Sequence, residues 1–377
     1  MSKKPIRVLH ITEMLSAAGI ESFIMNVYRN IDREKVQFDF LVLRNEKEFY
    51  EDEVISLGGR KYCVHSNIKN TFLRILVESN KIEKFLKLNH YDIVHIHYTT
   101  PLRAFYLKAT KKAGVPVRIY HSHSAEVSGK SNIKLMIYNY CKKVIDKYAT
   151  DFFACSEAAA KWIFSESTLE RKKVKVIHNG IDTDRFSFKK EVRDKVRMNL
   201  KLSNEYVLIN TGRFTEQKNQ MFLIDIVNEL KKKGENVKLL LLGDGPLKER
   251  CQEKVNELEL NDVVYFLGVK ANVEDYLFAA DCYVMPSLYE GLPVAGVEAE
   301  CTGIPCVFSE NITQEVKLNE NAIFVGLNVS ALEWAHIVLD RHETEERGNA
   351  VKTIRNAGYD IHDVALSMQN FYLQMVK

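Results

Sequence analysis

Two doubly wound α/β units in tandem are the architecture this sequence predicts. Short apolar runs rich in Val, Ile and Phe alternate with longer amphipathic stretches from one end to the other. The runs are continuously apolar instead of alternating, as expected of parallel strands covered on both faces. The pattern also restarts near the middle of 377 residues, a length too great for one ordinary domain and suited to two.

In chain order, segments 6–12, 37–43, 91–97, 115–121, 151–155 and 174–177 read as the first set of strands. Segments 21–30, 71–88 and 133–149 carry apolar residues at three- and four-residue spacing and read as helices between them. The turn residues His178-Asn179-Gly180-Ile181-Asp182 close this set, and a charged stretch at 189–197 precedes the next. The second set of strands is 206–211, 237–242, 263–266, 282–285, 305–308 and 322–325, with helices at 221–233 and 247–259. The last segment, 361–376, is amphipathic and long enough to pack across the boundary. The expected domains are 1–182, 183–358 and a helical 359–377 returning to the first. Ligands of open α/β sheets bind beyond the carboxyl ends of strands, so two such domains facing each other would place the chemistry in a cleft.

Composition narrows the function classes. A chain that is 46% hydrophobic and 27% charged buries real cores and is not disordered. No apolar run approaches the roughly 18–20 residues needed to span a bilayer. The positively charged start leads into a strand and not into a signal sequence. Seven scattered cysteines without a C-x-x-C pair argue against a disulfide framework or a zinc knuckle, and for a cytoplasmic protein. Charge is uneven: residues 1–180 hold 30 Lys and Arg against 19 Asp and Glu, and residues 181–377 hold 23 against 31. The first half therefore either faces something anionic or is simply a solvated surface. No helix-turn-helix, zinc-finger or RNP-type pattern accompanies the charge, which excludes nucleic acid and favours an anionic membrane or a lipid phosphate.

The most informative segment is Pro286-Ser-Leu-Tyr-Glu-Gly-Leu-Pro-Val-Ala-Gly-Val-Glu-Ala299. Ser287, Glu290 and Gly291 form a loop after a strand, ahead of a helix starting near Pro293, and proline suits a first helical turn. The free N–H groups of such a helix start, with the positive end of its dipole, hold phosphate. Glu290 and Glu298 read alternatively as a loop cap and a surface residue. Glu298, however, sits among Val297, Ala299 and Cys301, and a carboxylate on an apolar stripe needs a partner. Arg213 and Lys218 lie five residues apart after a strand, where two cations can neutralise a diphosphate leaving group without a metal. Gly243 and Gly245 either let the backbone approach a ligand closely or form a plain strand-to-loop turn.

These residues carry a resemblance. Ser287-x-x-Glu290-Gly-x-Pro-x-x-x-x-Glu298-Ala resembles the E-x7-E signature of retaining, nucleotide-sugar-dependent glycosyltransferases of the GT-B fold, family four. Gly212-Arg213-Phe214-x-x-Gln217-Lys218-Asn219 resembles that family's G-R-x-x-x-Q-K-G loop, with Asn219 where glycine is commoner in a loop that tolerates Asn. Gly243-Asp244-Gly245-Pro246 resembles its G-x-G-P turn, and Phe266-Leu267-Gly268 its F-x-G. The resemblance implies a GT-B architecture and a nucleoside-diphosphate-sugar donor, most often UDP-linked. Gly212, Arg213, Lys218, Gly243, Gly268, Val269, Glu290, Gly291, Leu292, Pro293, Val294 and Glu298 would bind that donor. Within this set Arg213 and Lys218 would hold the diphosphate, Val269 would lie beside the base, Glu290 would contact the sugar hydroxyls and Glu298 the ribose. Retention in this family is usually explained by attack on the face from which the nucleotide leaves.

In the first half, Met14-Leu-Ser-Ala-Ala-Gly19-Ile-Glu21 resembles the family's G-G-x-E loop, which touches donor phosphate or acceptor, with Ala18 in place of the first glycine. Two H-x-H pairs, His95/His97 and His121/His123, stand at the carboxyl ends of expected strands, each pair on one face. They are either core histidines or ligand contacts. The family has a histidine that contacts the transferred sugar, and the match falls between His121 and His123, with His123, deeper in the loop, preferred. His97 would face the acceptor, and Ser122, Ser124 and Glu126 are further polar groups nearby. The basic stretches at 108–112 and 142–147 suit a membrane-bound, lipid-linked acceptor and peripheral docking on an anionic inner leaflet.

The competing functions explain less. A metal-dependent hydrolase would use the H-x-H pairs but leaves Arg213, Lys218 and the paired glutamates without a role. A dinucleotide-dependent oxidoreductase lacks G-x-G-x-x-G after a first strand. A non-catalytic nucleotide-sugar-binding relative would keep Glu298 and lose turnover, and an epimerase or phosphorylase of the same fold is a further alternative. The expected protein is a retaining, metal-independent glycosyltransferase. It would need no cofactor and would act on a glycan or polyprenyl-linked acceptor in surface polysaccharide synthesis.

Overall fold

A computed structural model describes residues 4–16, 19–44, 48–124, 132–171, 173–341 and 347–376. The expected positions Ala18 and Glu126 lie outside the described residues. The chain divides into two compact units, residues 1–180 with 361–377, and residues 181–360. The divisions fall two residues from the expected 182/183 and 358/359. The reason is that Ile181 pairs with Asp360 in an isolated parallel bridge, so the chain enters and leaves the second unit side by side.

The first unit is a parallel sheet of seven strands: β1 (Ile6–Thr12), β2 (Val36–Val42), β3 (Arg60–Cys63), β4 (Ile93–Tyr98), β5 (Val117–Ser122), β6 (Asp151–Ala154) and β7 (Val174–Val176). Their order is β3-β2-β1-β4-β5-β6-β7. β3 was not anticipated. It is four residues long, lies at the sheet edge and is polar and partly exposed, so it has none of the apolar continuity that marks a central strand. One face of the sheet packs on Ile75, Ile82, Leu107 and Ile145 of the flanking helices. The other is covered by the helix Gly19–Asn30 and by the final helix Ile361–Met375, which buries Val364, Ala365, Met368, Phe371 and Tyr372.

The second unit is a parallel sheet of six strands: β8 (Tyr206–Thr211), β9 (Val237–Leu242), β10 (Val264–Gly268), β11 (Cys282–Met285), β12 (Cys306–Ser309) and β13 (Ala322–Val325), ordered β10-β9-β8-β11-β12-β13. The charged stretch after the junction is a helix, Lys190–Asn199, with no buried residue. Its Arg193 and Arg197 reach Asp281 at 2.5 and 3.2 Å, and Asp281 also accepts the Val207 N–H at 2.7 Å. Pro293, expected in the first helical turn, stands one position outside the helix Val294–Cys301. Its carbonyl accepts the Gly296 and Val297 N–H groups at 2.9 and 3.3 Å, so it opens the helix as its cap.

Both sheets reverse their strand order at one place, between β1 and β4 and between β8 and β11. Ligands of open α/β sheets bind at the carboxyl ends of strands where the order reverses. Those two places position the residues that follow.

Candidate active site

In the second unit, the loop after β8 and the loop after β11 meet at the reversal. The first runs through Gly212, Arg213 and the buried Phe214 into a short 3-10 turn, Glu216–Lys218. Asn219 then takes the left-handed conformation (φ 54°, ψ 39°), which suits the asparagine found where the family more often has glycine. Its side-chain amide donates to the Pro286 carbonyl at 3.1 Å. The Leu288 N–H donates to the Gln217 carbonyl at 2.8 Å, and the Gln217 amide donates to the Tyr289 carbonyl and to Glu290 Oε2 at 3.0 and 3.1 Å. Lys218 Nζ stands 2.7 Å from Glu290 Oε1. Two motifs more than 70 residues apart in sequence are thus one polar assembly. Gln217, not among the expected site residues, positions Glu290; its place in the G-R-x-x-x-Q-K pattern was the available signal.

The glycine turn braces this assembly. A Cβ at Gly243 would lie 2.0 Å from the Gly212 carbonyl oxygen, and one at Gly245 would lie 2.6 Å from that of Phe214. Both have positive φ, 135° and 155°. The close approach anticipated at these glycines is therefore made to the neighbouring loop's backbone. Hydrogen bonds fasten the same surfaces: Phe214 N–H to Asp244 O at 3.0 Å and Gly243 N–H to Gly268 O at 2.9 Å. Gly268 (φ 72°) faces open space and is followed by the exposed Val269.

Beyond Glu290, which bridges to Ile312, the loop through Gly291 and Leu292 reaches the helix Val294–Cys301. The N–H groups of Val294 and Ala295 have no acceptor among the described residues, leaving donors and the positive helix end free for an anion. Glu298, two turns on, is partly accessible, yet its surroundings are apolar enough to matter. Burial pushes its carboxyl up to about 7, partly opposed by Arg185 and reinforced by Glu274. Arg185 itself is held by Glu274 at 2.6 Å. Glu298 has no hydrogen-bond partner among the described residues. Glu300, which sequence reasoning passed over, is a different case. It is fully buried, accepts the Leu318 and Asn319 N–H groups at 2.9 and 2.6 Å, and is structural.

In the first unit, the reversal between β1 and β4 gathers five histidines. Parallel register sets His10 beside His95 and His97 beside His121. The rings of His95 and His97 are 4.1 Å apart and those of His121 and His123 4.0 Å. His10 Nδ1 meets His97 Nε2, and His97 Nδ1 meets His123 Nε2, each at 2.9 Å. His95 Nδ1 meets the Tyr372 hydroxyl at 2.8 Å. A neutral imidazole carries one N–H, so the protons of His10, His97 and His123 must all point the same way along the chain of rings. Burial keeps all five neutral, pushing His10 and His123 down to about 3 and the others well below the usual value. His121 is fully enclosed and neither of its nitrogens has a partner among the described residues, whereas His123 is partly accessible. Two trios, His10/His95/His97 and His97/His121/His123, bring ring nitrogens within 4.8 Å of one another, but both nitrogens of His97 already face neighbouring rings. His10 was not anticipated, because its neighbours become visible only when β1 is known to lie beside β4. Gly19 opens the helix Gly19–Asn30, where an added Cβ would meet nothing within 4 Å among the described residues, and Glu21 in that helix accepts the Thr12 hydroxyl at 2.7 Å.

Comparison with known proteins bears on both units. The model for Glycosyltransferase Family 4 matches residues 17–185, and that for Glycosyl transferases group 1 matches residues 192–349. The chain is 33% identical over 99% of its length to the putative glycosyltransferase EpsF of Bacillus subtilis, covering 97% of that protein. It is 25% identical to the UDP-Gal:alpha-D-GlcNAc-diphosphoundecaprenol alpha-1,3-galactosyltransferase of Escherichia coli, over 81% of this chain and 79% of that one. Its fold matches that of Anabaena HepE, crystallised with UDP, at a TM-score of 0.74 and 19% identity, covering 97% and 99% of the two chains. On its two parallel-sheet units and its relationship over nearly the whole length to EpsF, this chain belongs to the family 4 glycosyltransferases of the GT-B fold.

Proposed function

We propose that this glycosyltransferase moves a sugar, with retention, from a UDP-sugar to a glycan or polyprenyl-linked acceptor during assembly of a surface polysaccharide. The observation that carries the donor half is the Lys218–Glu290 pair at 2.7 Å, which joins the loops after β8 and β11 beside the free N–H groups of Val294 and Ala295. Arg213, Lys218 and the helix start hold the diphosphate and stabilise its charge as the bond to the sugar breaks. Glu290, kept in place by Gln217 and Lys218, accepts from the sugar hydroxyls, and Glu298 from the ribose. The cations perform the neutralisation that a divalent ion performs elsewhere, so no metal is needed at the diphosphate. In the first unit His123, the accessible end of the histidine chain, contacts the transferred sugar.

Similarity to a galactosyltransferase named for a diphosphoundecaprenol-linked acceptor and to a structure holding UDP supports this reading of acceptor and nucleotide. Titration calorimetry with UDP, GDP and ADP in EDTA tests it. Micromolar binding of UDP alone is the expected result; binding that appears only when a divalent ion is added refutes the metal-free diphosphate site.

A further inference from the structure

The hydrogen-bonded line His10–His97–His123 has two unlike ends. At the inner end His10 is fully enclosed, with its ring 4.1 Å from that of Phe38 and 5.7 Å from that of Phe40. Its Nε2 has no partner among the described residues. In the middle His97 is enclosed too, stacked on His95 at 4.1 Å, and spends both nitrogens on the line. At the outer end His123 follows β5. Its backbone N–H donates to the Tyr98 carbonyl at 3.2 Å, and its ring is partly accessible. His123 Nδ1 is likewise without a partner among the described residues.

Each ring is neutral and carries one proton, so the three protons run inward together or outward together. Running inward, they end in an N–H at His10 Nε2, sealed beside apolar rings with no acceptor among the described residues. Running outward, they leave only a bare lone pair there and put the last N–H on His123 Nδ1, in the ring that a ligand can reach. An enclosed N–H without an acceptor is rarer and costlier than an enclosed lone pair, so the outward order is the stable one. It reverses the ordinary preference, because an unconstrained neutral imidazole carries its proton mainly on Nε2. We propose that His97 is a positioning residue: it donates from Nδ1 to His123 Nε2 and so keeps the His123 proton on Nδ1, as a hydrogen-bond donor to an oxygen of the transferred sugar. His10, donating from Nδ1 to His97 Nε2, locks His97 in turn. The proposal rests on the contact between His123 and the sugar proposed above, and adds which nitrogen makes it and what fixes the choice.

The experiment is nitrogen NMR of the full chain isotope-labelled at histidine, in which protonated and bare ring nitrogens give separate signals, assigned by single substitutions. In the wild-type chain without ligand, His97 and His123 are each expected to show a protonated Nδ1 and a bare Nε2. A protonated Nε2 on His123 overturns the proposal, as does an averaged pair of signals or zinc taken up at these rings in place of that pattern. His97→Asn, whose side-chain amide stands where Nδ1 stood, is expected to keep the His123 pattern. His97→Phe is expected to return the His123 proton to Nε2, and a pattern unmoved in that variant overturns the role of His97. Release of UDP from UDP-glucose and from UDP-galactose is measured alongside. With the sugar that reacts, His97→Phe is expected to lower kcat roughly 2- to 10-fold, the worth of one hydrogen bond, with UDP affinity unchanged. His97→Asn is expected to recover most of that loss, which a merely structural defect would not predict. The wild-type spectrum decides the proton order whether or not a variant folds. His123→Phe with wild-type kcat refutes the sugar contact, a failure distinct from that of the proton order.

Discussion

Replacing Gly243 by alanine tests whether the glycine turn serves the neighbouring loop or merely reverses the chain. The new Cβ would fall 2.0 Å from the Gly212 carbonyl oxygen, where real contacts do not come below 3.0 Å, so one of the two strand ends must retreat by about 1 Å. That retreat is opposed by the Gly243–Gly268 and Phe214–Asp244 hydrogen bonds, and the φ of 135° adds strain of its own. Strain at such a backbone position costs about 1–3 kcal/mol, and forced overpacking a similar amount. A total near 3 kcal/mol lowers Tm by roughly 6–12 °C in a unit of this size. The loop that moves carries Arg213 and Lys218, and a misplacement of about 1 Å costs on the order of 100-fold in turnover. Gly234→Ala is the control: its φ is also positive (82°), but nothing lies within 4 Å, so only the conformational penalty of about 1–2 kcal/mol applies. Thermal unfolding and kcat/KM with a UDP-sugar would be measured on both variants. If Gly243→Ala behaves like Gly234→Ala in both, the bracing argument is wrong.

Three further outcomes follow from the same geometry. Burial raises the Glu298 carboxyl to about 7, so below that pH the free protein holds a proton that must leave before Glu298 can accept from ribose hydroxyls in the proposed role. UDP-sugar affinity should therefore be full above about pH 8 and fall roughly tenfold per unit below 7. Glu298→Gln should be weak and nearly independent of pH in calorimetry, and a persisting midpoint in that variant would assign the titration elsewhere. Lys218→Ala removes both the proposed diphosphate cation and the ion pair with Glu290, so single-turnover rates should drop on the order of 100-fold or more. Arg213→Ala should lower turnover with little change in the Glu290 site, and full activity in both variants would refute the assignment. Asp281→Ala leaves two largely buried guanidinium groups and the Val207 N–H without their shared acceptor, costing about 3–5 kcal/mol; a Tm drop of less than about 3 °C in calorimetric scans would contradict that.

How much of this was legible depended on whether the information was local. Central strands such as Ile6–Thr12, Tyr206–Thr211 and Val237–Leu242 announce themselves through continuous burial, which demands continuous apolar sequence. The edge strand Arg60–Cys63 has no such demand, and the helix Lys190–Asn199 has no fully buried residue and is held by Arg193 and Arg197 on Asp281 beside the partly buried Val192 and Val196. In the proposed donor region the candidate residues are spaced within short stretches of sequence, so motif reading could name Arg213, Lys218, Glu290 and Glu298 as candidates. What it could not supply was the crossing between loops, because Gln217 finds Glu290 only once β8 and β11 are neighbours. The histidines show the same limit. Two pairs could be read from period-two spacing, but the ring sequence His10–His97–His123 depends on a strand order that no local pattern encodes.

The final helix carries a consequence for biosynthesis. Ile361–Met375 supplies Val364, Ala365, Met368, Phe371 and Tyr372 to the core of the unit that begins at the amino terminus, and Tyr372 reaches His95. A ribosome therefore delivers the whole of the second unit before the first can close its sheet. During that interval, Phe38, Phe153 and the histidine rings on one face of β1, β2, β4, β5 and β6 lack their cover. At roughly 5–20 residues per second, the 180 residues between Gly180 and Ile361 keep that face open for about 9–36 seconds, long enough to recruit a chaperone. In the usual vectorial order the amino-terminal domain matures first; here the order of maturation is inverted. Nascent chains stalled before residue 361 should accordingly show a protease-resistant second unit and a first unit that is still cleaved.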